Sequence, residues 1–290
     1  MAIKAMTVNP KKFDKTQIKF YLILIPVAVF MIMPLIYIFS TALKPIDELF
    51  MFPPRFFVQK PTLKNFTDLF RAASTTGVPM MRYLINSLLI TTVMIIASLL
   101  MTTATAYALS KKEFKLKKFL FSVNQTALMF VAVAVAIPRY LIIDGLGLND
   151  TFWVHWIPYL AMPVGLFLVK QFIDQVPDEL IEAAKIDGAN DWHIITRIII
   201  PLIKPALATV AILVFQFVWG NTESSNLYII TETKKTFSFY LTTLTANQAN
   251  SIAGAGMAAA AGLIMFFPNL AIFILMQGRV MDTMSHSGIK

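Results

Sequence analysis

Six stretches of the chain run for 18 residues or more without a formal charge. They are 20–43, Tyr83–Ser110, Phe119–Pro138, Thr151–Val169, Pro205–Thr222 and Thr236–Gly278. A hydrocarbon core of roughly 30 Å takes about 20 apolar helical residues. Inside it every backbone polar group must find a partner within the protein, which a helix does by itself. The last stretch opens with the polar run TFSFYLTTLTANQANS, so its helix is predicted over Ile252–Met276. The first run is too long for a signal-peptide core, although Ser40-Thr41-Ala42 resembles a cleavage site. The expected fold class is therefore an all-α membrane protein of six transmembrane helices. Composition agrees: 57% of the 290 residues are hydrophobic and 14% charged, where a soluble domain carries about 25% charged residues. Cysteine is absent, which excludes disulfides, thiolate metal sites, a cysteine nucleophile and iron–sulfur clusters.

The formal net charge of +9 in so apolar a chain points to topology signals and anionic lipid headgroups, not to nucleic acid. Lys4, Lys11, Lys12, Lys15 and Lys19 precede the first span, and KKEFKLKK (111–118) separates the second from the third. Placing both on the cytoplasmic side puts 16 of the 25 basic residues inside and makes both termini cytoplasmic. The domains are then a basic N-terminus (1–19), a six-span domain (20–278) and a cytoplasmic tail (279–290).

Between spans four and five lies a loop, 177–201, that does not suit lipid. Pro177, Asp178 and Glu179 form a helix start, with proline expected at the first helical position and acids at the positive end of the dipole. Gly188 can end that helix in a left-handed cap, and Asp191 can cap a second helix carrying Trp192, Ile195 and Ile199. Helices that lie on a membrane show basic residues on their polar face. Here Asp178, Glu179, Glu182, Asp187 and Asp191 stand against Lys185 alone across 178–191. The loop is expected to dock on a cytoplasmic protein.

Glu182-Ala183-Ala184, Gly188, Ile198, Ile200 and Pro201 stand at the spacing of the EAA loop and resemble that of ABC importer permeases. The longer run EAAKIDGANDWHIITRIIIPLIKPALA is similar to the carbohydrate-type permeases, in particular those like the smaller membrane subunit of the maltose importer. PPRFFVQKPTLKNF (53–66), Asn86-Ser87 and Ala106–Leu109 share the resemblance. It implies that Glu182, Ala183, Ala184, Asp187, Gly188, Ala189 and Pro201 couple this chain to an ATPase. It also implies its partners: a second homologous six-span permease, two ATP-binding subunits that hold the ATP and magnesium, and an extracellular or periplasmic sugar-binding protein. The chain would sit in a bacterial cytoplasmic membrane and import a carbohydrate, with an oligosaccharide favoured.

The chain has no Gly-Lys pair and so no phosphate-binding P-loop, and neither HExxH nor GxSxG occurs. No enzyme activity is expected of this subunit, and no cofactor of its own. His155, His193 and His286 fall on separate segments, so no metal site is expected and each histidine is read as interfacial or solvated. No Asp, Glu, Lys or Arg lies deep within a predicted span, which counts against the alternative of an ion-coupled secondary transporter.

A neutral sugar path needs hydroxyl-compatible side chains and aromatic platforms. Gln216, Trp219, Asn221 and Glu223 at the outer end of span five are the candidates, with Tyr228 nearby. For Asn124 and Gln125, hydrogen bonding between helices is the favoured role. Gly254, Ala258 and Gly262 form a small-residue ladder expected to pack closely against another helix, within this chain or in the partner permease.

Overall fold

The computed structural model describes residues 17–71, 77–131, 133–248 and 252–287. The basic residues Lys4 to Lys15 lie outside these, as does the side chain of His286. In order, the helices are α1 (Ile18–Leu43), α2 (Ile46–Leu49), α3 (Lys64–Arg71), α4 (Met80–Lys111), α5 (Lys117–Ala127) and α6 (Ala136–Gly145). Two single 3-10 turns, Phe152–His155 and Ile157–Tyr159, lead into α7 (Pro163–Asp174) and α8 (Asp178–Ile186). Then come α9 (Asp191–Ile194), a π-helical turn (Ile195–Ile199), α10 (Ile200–Leu202) and α11 (Lys204–Trp219). After these come α12 (Glu223–Leu227), a 3-10 turn (Glu232–Lys234), α13 (Phe237–Gln248) and α14 (Ile252–Ser287). No β-strand forms among the described residues.

Among the described residues, four segments are long and apolar enough to cross a membrane: Ile18–Leu43, Met80–Lys111, Lys204–Leu227 and Gly254–Met276. They coincide with the first, second, fifth and sixth predicted spans. The other two predicted spans are not single helices. The fourth is a pair, Phe152–Tyr159 with Pro163–Asp174, bent by 48°. The bend falls just before Pro163, which can start a helix but cannot continue one. The third is split into α5 and α6 by turns at 128–130 and 133–135. Valines stand at 131, 133 and 135 of that break, and their branched side chains lower helix propensity. Among the described residues there are thus four helices long and apolar enough to cross, or five if the bent pair is one span, and not six uninterrupted helices.

The chain divides into two compact units, Met1–Asp68 with Gln248–Leu263 and Leu69–Asn247 with Ile264–Lys290. In the first, α1 ends where Asn65 donates to the carbonyls of Ala42 (2.9 Å) and Lys44 (2.8 Å), closing acceptors that a helix end leaves open. A Cβ on Gly256 would stand 2.6 Å from the Asn65 side chain, so only glycine fits beside that cap. Within this chain the close approach uses Gly256, and the predicted ladder residue Gly262 has open space around it. Glu48 is buried and accepts from the Gln59 and Lys60 amides at 3.0 and 2.7 Å, holding the loop after α2.

In the second unit α4, α7 and α11 pack around Ile90, Met94, Val169, Ile173, Val210 and Val214. Lipid is as apolar as these side chains, so close packing and polar contacts hold such helices together in place of the hydrophobic effect. α4 accordingly buries Asn86, Ser87, Thr91, Ser98, Thr102 and Thr103 among its apolar residues.

Candidate functional site

The loop 177–201 folds as two short helices around a glycine turn, as its sequence suggests. Pro177 is the residue before α8, one position earlier than predicted, and Asp178 and Glu179 occupy the first turn. At the other end Gly188 has φ +82°, a conformation that L side chains rarely adopt. The Gly188 amide donates to Lys185 O (3.0 Å) and the Ala189 amide to Ala184 O (2.9 Å). These two bonds make a Schellman motif, completed by the packing of Ala184 and Ala189 on the same apolar cluster. The cap of α9 is Asn190, whose Oδ1 accepts from the His193 amide at 2.8 Å. Asp191, the predicted cap, stands one residue inside the helix and turns its carboxylate elsewhere.

One side of this loop is apolar and buried through Ile181, Ile194 and Ile199. The other presents Glu179, Glu182, Ala183 and Ile186, at positions i, i+3, i+4 and i+7 of α8, all exposed. Ile186 is 87% exposed, and Asp187 and Gly188 extend the ridge. Of the five acids in the loop, Asp178 and Asp191 are engaged inside the chain. Lys111 Nζ donates to Asp178 Oδ1 (2.8 Å) and to Val176 O (2.6 Å). Lys112 Nζ donates to both oxygens of Asp191 (2.7 and 2.8 Å), and the Tyr107 hydroxyl adds a third bond at 3.2 Å. These lysines hold both carboxyl groups below the usual carboxylate range. Glu182, Ala183, Asp187 and Gly188 remain turned outward. Pro201 is exposed and follows the π-helical turn. A proline has no amide for the usual bond four residues back, and π turns collect where a helix yields to such a break.

The other polar cluster of this unit surrounds the end of α11. Gln216 is exposed. Trp219 is 1% exposed, stacks on Phe215 at 5.6 Å and donates its indole N–H to Met265 O at 3.0 Å. That packing leaves Trp219 no face for a solute. Asn221 Oδ1 accepts from the Ser224 amide at 3.0 Å. Glu223 pairs with Arg139 at 3.1 Å, and Tyr228 is buried against Tyr140. Arg139 was not singled out from the sequence, although an arginine inside the apolar run AIPRYLII was the available signal. It lies in α6, one residue beyond the predicted third span. A cleft of about 210 Å³ opens beside it, lined by Tyr159, Met162 and Phe217 among others. A larger one of about 360 Å³ is lined by Thr102, Thr105, Asn124 and Met162 among others. Asn124 itself donates to Pro163 O at 3.2 Å, joining α5 to α7.

His155, read from the sequence as interfacial or solvated, is buried in the chain: its ring nitrogens lie 2.9 Å from Ser224 Oγ and 3.1 Å from Lys234 O. Lys234 O can only accept, so Nε2 carries the proton. Among the described residues no three His, Asp or Glu side chains stand together as a metal ion would require.

A family model described as "Binding-protein-dependent transport system inner membrane component" matches residues 20–278. The galactooligosaccharides transport system permease protein GanQ of Bacillus subtilis is 28% identical over 274 residues, 93% of this chain and 94% of GanQ. The trehalose transport system permease protein SugB of Mycobacterium tuberculosis is 26% identical, over 89% of this chain and 92% of SugB. A crystal structure of a bacterial ABC transporter involved in the import of the acidic polysaccharide alginate contains a chain with the same fold. It superposes with a TM-score of 0.80 at 21% identity, over 93% of this chain and 99% of that one. With four apolar helices, one bent pair and a family match over most of its length, this multi-pass bacterial membrane protein belongs to the binding-protein-dependent transport system inner membrane components, the permease subunits of ABC importers.

Proposed function

We propose that this chain is one of two permease subunits of an ATP-driven importer for a carbohydrate, with an oligosaccharide the favoured class. The relatives support the substrate class, since several are permeases of saccharide transport systems. Six crossings follow if α5 with α6 and the bent pair each pass once, with both termini and the loop 177–201 cytoplasmic and 221–251 outside. The chain supplies half of the translocation path. A second permease supplies the other half and covers apolar surface such as that of α1, none of whose hydrophobic window is buried within this chain. Two ATP-binding subunits hold the ATP and magnesium, and a binding protein delivers the sugar from outside.

The observation that carries this reading is the exposed ridge Glu179, Glu182, Ala183 and Ile186 on a helix locked by the Gly188 turn. Acidic and apolar side chains alternate on a rigid, close-approach surface, which suits a cleft with a basic rim in a partner protein. Closure of the ATPase pair pushes this ridge, and the spans swing between inward- and outward-facing states. Gln216, Asn221 and Glu223 border the sugar path at its outer end, where Glu223 is oriented by Arg139.

The test is ATP-dependent uptake of labelled oligosaccharides by proteoliposomes holding the co-purified complex. Glu182→Lys is expected to remove about nine-tenths or more of the uptake, since truncating or reversing a charge at such a contact costs about 2 kcal/mol or more. Uptake that is unchanged in Glu182→Lys would refute the docking role of α8.

A further inference from the structure

α4 is tied to its surroundings by side chains at both ends. Its 32 residues span about 48 Å at 1.5 Å per residue, and they include neither proline nor glycine, the usual sites of kinks. At one end Lys111 and Lys112 grip Asp178 and Asp191, so that both helices of the loop 177–201 are held by consecutive lysines. Lys111 is drawn in, its side chain only 7% exposed, and also bonds Val176 O. At the other end Asn86 donates to Thr233 O (2.8 Å) and Lys235 O (2.9 Å). Arg82 reaches Thr233 O at 3.3 Å, the Tyr83 hydroxyl reaches Glu232 at 2.7 Å, and Ser87 Oγ accepts from the Phe237 amide at 2.8 Å. Every one of these outer bonds ends within the segment 232–237.

From their sequence the lysines of KKEFKLKK read as topology signals alone. A topology signal needs charge near the membrane but no particular partner, whereas these two make geometrically specific bonds to different helices. The loop is covalently continuous with α7 and α11, so those helices follow it whatever else happens. α4 packs against both of them along its length, and the lysines tie its end directly to the two helices of the loop.

We infer that α4 is a strut: through Lys111 and Lys112 at one end and Asn86 and Ser87 at the other, it makes the position of segment 232–237 depend on that of the loop 177–201, and the reverse. This rests on the proposed importer function, in which an ATPase moves that loop. By linkage, whatever binds the outer segment then biases the loop by the same factor. Lys111, Lys112, Asp178 and Asp191 are positioning residues, with no role in binding substrate or nucleotide.

The cysteine-free sequence makes a direct test available. Ile230 is 84% exposed beside the outer segment, so Ile230→Cys offers a single thiol for a membrane-impermeant maleimide. Its labelling rate is compared without nucleotide and with ATP plus vanadate, in proteoliposomes holding the chain and its co-purified subunits. The two rates should differ about fivefold or more. Lys112→Asp or Asp191→Lys should bring their ratio close to one, and the two combined should restore it. Asn86→Leu should also collapse the ratio while leaving the lysine contacts in place. Each variant is first checked for the same co-purified subunits, and a reversal that loses them is replaced by Lys112→Met with the same readout. Single reversals that keep the full ratio would overturn the strut. So would a swap that fails to restore it, or an unmodified strut with no nucleotide-dependent change. Absence of any ATP-binding subunit from the starting preparation would instead overturn the importer reading, and the strut with it, before any labelling is done.

Discussion

The two ends of α4 are held by different chemistry. At the Lys112 end the bonds are ion pairs, with Lys112 and Asp191 side chains 38% and 53% exposed. At the Asn86 end Asn86 donates to two main-chain carbonyls and Ser87 accepts from a main-chain amide, and Asn86 and Ser87 are each only 4% exposed. Exposed ion pairs are individually weak and screened by salt. Buried polar groups cost much more to leave unpaired. The outer end is therefore a fixed joint. At the inner end Lys111 is drawn in and the exposed Lys112–Asp191 pair is the contact that can be broken and remade at small cost, as the proposed movement of the loop requires.

The largest effect should come from the loop itself. Gly188→Pro removes the amide that bonds Lys185 O and demands a φ near −65° where the chain has +82°, at a cost of about 3 kcal/mol or more. Co-purifying ATPase should be lost while the protease-protection pattern of the spans stays as in the unmodified chain. Retained ATPase would show that the rigid turn is dispensable. Next in size is the fixed joint. Asn86→Leu strands the Lys235 carbonyl and leaves Thr233 O to Arg82 alone, and should destabilise the complex by about 1–3 kcal/mol, read as a lower Tm in detergent. An unchanged Tm would erase the distinction between the two ends.

Lys112→Met at the remakeable joint should cost no more than about 1 kcal/mol. Its effect on Tm should fade as salt is raised, and a loss as large as that of Asn86→Leu would break the comparison. The smallest effect concerns acid. Asp150 accepts bonds from the Thr231 amide and hydroxyl and from Lys234, which hold its pKa at about 2 against an ordinary 3.8. A carboxylate with a lowered folded pKa adds stability above its ordinary value and loses it as pH falls toward the folded one. The outer segment should thus loosen only between pH 3.8 and about 2. Asp178 and Asp191 are lowered too, first by hydrogen bonds from Lys111 and Lys112, so the inner joint has the same sign and stays intact at neutral pH. Amide protection factors at Ile230 and Thr231 measure this, and a loss already near neutral pH would contradict it.

Much of the fold was legible because it depends on local pattern. Runs without charge marked α1, α4, α11 and α14, and Pro177, the acid pair and Gly188 marked the two-helix loop to within one residue. The break between α5 and α6 and the 48° bend before Pro163 were not legible, since apolar runs satisfy the same hydropathy whether the helix is continuous or interrupted. Partnerships across distance were also hidden. Lys112 and Asp191 are 79 positions apart, and Arg139 and Glu223 are 84 apart, so neither pair has a local signature. Trp219 reads as a sugar platform from its neighbours in sequence. Only the approach of Met265 O and the ring of Phe215 reveals it as a packed side chain.

The central claim is that this chain works as a subunit whose loop 177–201 receives an ATPase. Mass spectrometry of whatever co-purifies with the tagged chain in mild detergent tests it most directly. Expected are an ATPase carrying a phosphate-binding P-loop and a second permease of the same family, both recovered in fixed proportion and the ATPase lost in Glu182→Lys. Recovery of the chain alone, stable and able to transport a solute after reconstitution without ATP, would contradict it.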